Sequence, residues 1–233
     1  WIDLSTGINP HPWPHSTELV IDWNRLPELE DLQALEQAAA DHYGVPSSHI
    51  CAVSGSEMAM RLTGLLQGGK GQCERAGYRT HQEMFSQCHR LDDLSQAAPE
   101  LPLILANPAN PSGRILSREK LAALLNRRAA GWTLVDEAYA DAHPDISLAR
   151  HISAHPKLIL FKSLGKFFGL AGLRLGFVIG PPEWIARLRH HIGAWPLSSA
   201  AIAIGQAALR DSAWISETRA NLAKRASALD RLI

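Results

Sequence analysis

The chain has 233 residues, 46% of them hydrophobic, which is enough for one large core or for a large domain with part of a second. Lys plus Arg number 23 and so do Asp plus Glu, scattered along the chain, which argues against a nucleic-acid or anionic-membrane partner. No apolar run approaches the roughly 20 residues that span a bilayer, and no signal peptide is expected. The cysteines Cys51, Cys73 and Cys88 lack CxxC spacing and read as reduced thiols of a cytoplasmic protein, with no disulfide frame and no zinc site.

Trp1 to Pro14 reads as a short extended piece and then a loop, because Pro10, Pro12 and Pro14 exclude a helix. His11 and His15 have no carboxylate or cysteine near them in sequence to complete a metal site, and read as loop residues. Pro27 to Tyr43 is a predicted helix with Leu29, Leu32, Leu35, Ala39 and Tyr43 on one face, ended by Gly44. A strand at Ile50 to Val53 leads through Ser54-Gly55-Ser56-Glu57 into a helix containing Met58, Leu62 and Leu65. A glycine turn that opens a helix aims free N–H groups at one spot and suits a phosphate. The alternative is an ordinary N-cap by Ser54 or Ser56.

Gly68-Gly69-Lys70-Gly71 lacks the spacing of a nucleotide loop and reads as a turn. Gln72 to Ala76 is a weak predicted strand, followed by Gly77-Tyr78, where the tyrosine is either a core ring or one that stacks on a planar ligand. Leu101 to Ala106 is a buried strand ending in Asn107-Pro108-Ala109-Asn110-Pro111-Ser112-Gly113, a loop whose prolines and glycine present Asn110 rigidly. Ser117 caps a helix with Leu121, Leu124 and Leu125 inward. Strands at Trp132 to Val135 and Lys157 to Phe161 end in Asp136-Glu137-Ala138-Tyr139 and in Ser163 and Lys166. Helices follow over Pro181 to Ala194 and Ser198 to Leu209. A last amphipathic helix over Trp214 to Ile233 has Ile215, Leu222, Leu229 and Leu232 inward.

Apolar strands alternating with amphipathic helices imply an α/β fold with a mainly parallel, doubly wound sheet. Ligands of such sheets bind beyond the carboxyl ends of the strands, and Asn110, Asp136, Tyr139, Ser163 and Lys166 all follow strand ends. The most informative stretch is Phe161 to Gly176, FKSLGKFFGLAGLRLG. Lys166 among Phe167, Phe168 and Leu170 is expected to be partly desolvated, and therefore a usable nucleophile toward a carbonyl. Ser163 and Arg174 suit a phosphate. A carbonyl and a phosphate on one molecule describe pyridoxal 5'-phosphate (PLP), which enzymes hold on a lysine.

PLP requires four contributions, and each has a candidate. Lys166 carries it. Asp136 pairs with the ring nitrogen, with Glu137 as the competing carboxylate. Asn110 and Tyr139 reach the phenolic oxygen, and Tyr78 stacks on the ring. Ser56, the Glu57 N–H, Ser163 and Arg174 form the phosphate cup. Lys166, Asp136 and Tyr139 are the catalytic candidates.

NPANPSG at Asn107 to Gly113, DEAY at Asp136 to Tyr139, and the lysine segment ending at Arg174, in this order, resemble the fold-type I, class I/II aminotransferase superfamily of PLP enzymes. LSTGINP at Leu4 to Pro10, RLPE at Arg25 to Glu28 and SGSEMAM at Ser54 to Met60 resemble most its cobalamin-biosynthesis branch, the threonine-phosphate decarboxylase-like proteins. The resemblance implies decarboxylation of L-threonine O-3-phosphate to aminopropanol phosphate, a PLP-binding large domain, and a homodimer built through the N-terminal loop and the region near Tyr78. Two alternatives stand beside it: an aminotransferase of the histidinol-phosphate type, and an inactive fragment or homologue that keeps the fold. Gly165 departs from the Ser or Thr usual before the lysine, Leu26 from a tyrosine that reaches the partner's phosphate, and Gly77 from a proline. The expected organisation is an N-terminal arm (1–26), a large domain (27–210), and the start of a helix (211–233) toward a small domain that the chain largely lacks, together with the arginine that holds the substrate carboxylate.

Overall fold

The structure is a computed structural model and describes residues 6–128 and 130–232. In chain order its main elements are α1 (Leu29–Tyr43), β1 (Ile50–Val53), α2 (Ser56–Leu66), β2 (Lys70–Glu74), α3 (Arg79–Glu83), β3 (Gln87–Leu91), β4 (Leu103–Ala106) and α4 (Arg118–Arg127). They continue with β5 (Thr133–Asp136), β6 (Leu158–Ser163), β7 (Gly176–Ile179), α5 (Pro182–Ile192), α6 (Ser199–Arg210) and α7 (Ser212–Asp230). Every residue of β1, β4, β5 and β7 is buried. Strands buried on both faces need helices on both sides, and mostly parallel pairing follows from the helical crossovers.

The seven strands run β1-β7-β6-β5-β4-β2-β3. β7 is antiparallel to both β1 and β6, and the remaining pairs are parallel. One core layer, with Leu35, Leu105, Leu160, Phe168 and Ile202, packs the sheet against α1, α4, α6 and the start of α7. The other, with Met60, Phe85, Phe161 and Trp184, packs it against α2, α3 and α5.

Several sequence expectations shift here. Lys70 and Gly71 open β2 instead of closing a turn, and the turn is Gly68-Gly69, both at positive φ. Strand β3 and the short helix α3 were not anticipated: QCHRL is too polar to read as a strand, and it survives as an edge paired only to β2. Leu29, Leu229 and Leu232 are exposed, not inward, and Met58 and Leu65 of α2 are exposed as well. On α2 the buried face is Ala59, Met60, Thr63 and Gly64, since the close approach of α3 selects small residues there. The described cysteines are free, with Cys73 Sγ and Cys88 Sγ 3.2 Å apart. No helix among the described residues is long and apolar enough to cross a membrane.

Candidate cofactor site

The strand ends set the site. Register aligns Ala106, Asp136 and Phe161 across three neighbouring strands, so the loops after β4, β5 and β6 leave the sheet at one level. Ser163, ending β6, pairs with Gly176 at the start of β7. Gly176 has no room for a side chain, because a Cβ there would lie 2.7 Å from the Ser56 nitrogen. Ser163 and the first turn of α2 are thereby brought together.

Helix α2 opens with Gly55 as N-cap at φ +89°, and no side chain caps it. Neither serine fills the ordinary capping role, and Ser54 Oγ instead donates to the Pro196 carbonyl. The first-turn N–H groups at Ser56 and Glu57 therefore keep their partial positive charge for a ligand. Arg174 is the one non-glycine residue at positive φ among the described residues, at +53°. Such a conformation costs on the order of 1–3 kcal/mol and persists where the surroundings demand it. It carries the guanidinium over Gly55, where a Cβ would meet Nη2 at 2.7 Å. The result is a cradle of N–H groups and a guanidinium, which is the donor set for a phosphate.

Lys166 is half-buried, with Nζ 5.5 Å from the centre of the Tyr139 ring. The phenylalanines expected to desolvate it point elsewhere. Phe167 and Phe168 pack on Trp214 of α7, each at a centroid distance of 5.6 Å. The wall beside Lys166 is the N-terminal segment. Asn9 N–H donates to the Lys166 carbonyl (3.0 Å), and Trp13 N–H to the Phe168 carbonyl (2.9 Å). Asn9 Nδ2 donates to the Phe167 carbonyl at 2.9 Å. Gly7 lies so close to Tyr139 that a Cβ would sit 2.6 Å from its hydroxyl.

The two adjacent carboxylates are sorted to opposite sides of the sheet. Asp136 Oδ1 accepts from Ala138 N–H at 3.0 Å, and Oδ2 lies 3.1 Å from His81 Nε2. Glu137 is fully buried on the other side, 2.6 Å from Lys162 Nζ, and accepts from Ser147 Oγ (2.6 Å) and Leu148 N–H (2.9 Å). Glu137 is thus largely saturated and tied to Lys162, whereas Asp136 keeps lone pairs for a further donor.

Tyr78 is the N-cap of α3, is 36% exposed, and meets the His81 ring edge-on at 5.7 Å. Asn110 is half-buried in a loop closed by Gly113 N–H to the Ala109 carbonyl (2.8 Å). That loop is anchored by Asn107, whose side chain exchanges hydrogen bonds with the Leu116 backbone at 3.1 and 2.8 Å.

Two contributors were missed from sequence. His81 stands three residues after Tyr78, on the same helix face, and a histidine at that spacing was the available signal. The Gly7–Asn9 wall carried no chemical signature of its own.

A doubly wound sheet with a lysine, a carboxylate that keeps lone pairs for a ligand and an uncapped helix N-terminus beyond its strand ends defines a PLP-dependent enzyme of the aminotransferase type. The chain belongs to the family described as aminotransferase class I and II, whose model matches residues 70–233. It is 38% identical over 223 residues to the threonine-phosphate decarboxylase of Pseudomonas aeruginosa, covering 91% of this chain and 65% of that protein. It is 35% identical over 236 residues to the threonine-phosphate decarboxylase of a Sinorhizobium species, covering 95% of this chain and 71% of the relative. The chain thus spans about two thirds of the length of these curated relatives. Among solved structures, the histidinol-phosphate aminotransferase of Clostridium acetobutylicum superposes with a TM-score of 0.79 at 20% identity, covering 92% of this chain and 71% of that one.

Proposed function

We propose that the whole protein is a PLP-dependent lyase that decarboxylates L-threonine O-3-phosphate to aminopropanol phosphate for cobalamin biosynthesis, working as a homodimer. The observation that carries this reading is the 38% identity to a threonine-phosphate decarboxylase over 91% of the chain. Phosphorylated amino acids are the corresponding substrate class.

The residues fit the cofactor. Lys166 Nζ would hold it and, once released by the substrate amine, move protons at the substrate carbon. Asp136 would keep the ring nitrogen protonated, an ion pair whose geometry is fixed by Ala138 N–H and His81. Asn110 and Tyr139 would donate to the phenolic oxygen and Tyr78 would stack on the ring. Ser56, the Glu57 N–H, Ser163 and Arg174 would take the phosphate. When bound, PLP supplies an electron-accepting ring that stabilises negative charge at the substrate carbon. Gly165 adds no hydroxyl to the cradle, so Arg174 carries more of the phosphate's charge.

Full-length protein loaded with PLP and incubated with threonine phosphate is the decisive assay. Release of carbon dioxide supports the decarboxylase. Formation of a ketone together with pyridoxamine phosphate replaces it with an aminotransferase of the histidinol-phosphate type. Absence of a near-visible absorbance band that borohydride fixes and Lys166→Ala abolishes leaves only a fold retained without its chemistry.

A further inference from the structure

A cavity of about 580 Å³ is lined from α1, α4, the turns between β5 and β6, and the junction of α6 and α7. None of the cofactor candidates lines it. Its volume is that of a small-metabolite site.

The two ends of this cleft differ. Its floor holds Lys162, already committed to Glu137 at 2.6 Å and to Ser147 Oγ at 3.2 Å. Beside it sits Asp141, 3% exposed, whose Oδ2 has no hydrogen-bond partner. The Tyr43 hydroxyl faces Asp141 closely enough to favour its anionic form, although neither it nor Asp141 Oδ2 meets full hydrogen-bond geometry. His42 Nε2 is 4.0 Å from the other Asp141 oxygen, beyond hydrogen-bonding reach. Burial raises the Asp141 carboxyl to about 6 against the opposing charges of Lys162 and Arg219, and its Oδ2 is left without a hydrogen-bond partner. A buried acceptor left in that condition destabilises the fold, and a ligand donor would relieve it.

The mouth asks for the reverse. Arg118 and Arg150 are exposed and make no hydrogen bond or ion pair among the described residues. Arg150 is held over Gly44, where a Cβ would meet Nε at 3.0 Å. Of the acidic residues at the mouth, Asp41 is engaged by Gln37 at 2.8 Å and Asp145 is exposed. Arg219 also lines the cavity, with Nε donating to the Asp141 carbonyl at 2.7 Å.

We propose that this cleft binds a small phosphate monoester that bears a hydroxyl or amino group at its far end, the phosphate at Arg118 and Arg150 and the donor on Asp141. Arginine is the side chain suited to phosphate, through paired N–H donors. The site is separate from the cofactor cradle, and the proposal does not depend on which reaction the cradle supports.

The test is calorimetric titration of the PLP-saturated protein with glycerol 3-phosphate, a probe with both features and no amine. Saturable one-to-one binding is expected, weakened at least tenfold by Arg150→Ala and by Asp141→Ala. Methyl phosphate, which lacks the distal donor, should bind at least tenfold more weakly to the wild type. Absence of saturable binding overturns the proposal, as does equal affinity for the two probes. An affinity that falls as PLP is raised would place the ligand in the cofactor cradle and equally overturn it. If Asp141→Ala fails to fold, the exposed Arg150 variant and the two-probe comparison decide the question.

Discussion

His81 touches nothing that reacts, yet it governs where Asp136 can point. Its ring is 1% exposed and its Nε2 faces an acidic oxygen at 3.1 Å, so Nε2 carries the proton and donates. Replacing it by leucine leaves Asp136 Oδ2 without a donor in a buried position. Such a loss typically costs about 1–3 kcal/mol, or roughly one to two decades in whatever the carboxylate controls. His81→Leu is expected to weaken PLP binding and to shift the pH dependence of the near-visible band. His81→Gln, which can return an N–H, should recover both. Equal effects of leucine and glutamine would reduce His81 to packing.

A second pair, His42 and Asp141, concerns pH. Burial lowers the His42 ring to about 4 and raises the Asp141 carboxyl to about 6. The signs oppose. The Asp141 contribution to stability is present below its ordinary value of 3.8 and is lost as pH rises to about 6. The His42 contribution is present above its ordinary 6.5 and is lost as pH falls to about 4. Each shift is worth roughly 3 kcal/mol at about 1.4 kcal/mol per unit, so between pH 4 and 6 they largely offset. Asp141→Asn should therefore stabilise relative to wild type at pH 7, and lose that advantage on acidification. A conservative change at His42, to Gln, should do the reverse. Urea midpoints measured at pH 4.5 and 7 for the three proteins check this, and parallel shifts in both variants would refute it.

At the scale of elements, α3 is the piece on which the site turns, since it presents both Tyr78 and His81. It is seated by Thr80 Oγ1 donating to Glu57 at 3.2 Å, and by the close approach of its end to α2 at Gly64, where a Cβ would overlap the Met84 carbonyl. Gly64→Ala improves helix propensity but overpacks this contact, and overpacking typically costs 1–3 kcal/mol. We expect a lower melting temperature and a weaker PLP affinity together, because α3 must move to admit the methyl. A stabilised variant with unchanged affinity would show that α2 and α3 do not hold each other.

This element also marks where sequence reasoning ended. Strands β1, β4, β5 and β6 were legible because their apolar runs are buried on both faces, and the loops after them because Asn, Asp and Lys recur just beyond the runs. The uncapped start of α2 was legible as one of two readings. Strand β3 and helix α3 were not, since Gln87–Leu91 is polar and five residues at Arg79–Glu83 carry too little periodicity. The destination of Phe167 and Phe168 was hidden for a different reason: a ring's partner, here Trp214, lies 46 to 47 residues away in sequence.

At the scale of the molecule, the surface near the N-terminal loop is unusual. Val20, Trp23, Leu26, Leu29 and Trp195 are between 61% and 98% exposed. Leu29 and Trp195 line one shallow groove with Pro27 and Ala194, and Val20 and Leu26 line the groove next to it. Apolar surface gathered in this way marks an interaction site more often than a solvated face, and the homodimer proposed above gives it an occupant. The location has a chemical consequence. Pro196, beside Trp195, accepts the Ser54 hydroxyl, and Ser54 immediately precedes the Gly55 cap of α2. Covering the groove would therefore steady the phosphate cradle from behind. In sedimentation at micromolar concentration the wild type should be a dimer, and Leu26→Glu with Trp195→Glu should be a monomer with an unchanged far-ultraviolet spectrum. PLP affinity should fall at least severalfold in that variant, while Val20→Glu alone, at the rim, should have a smaller effect on both. A wild-type monomer that binds PLP would remove the dimer. A monomeric variant with undiminished affinity would keep the dimer but detach it from the cradle.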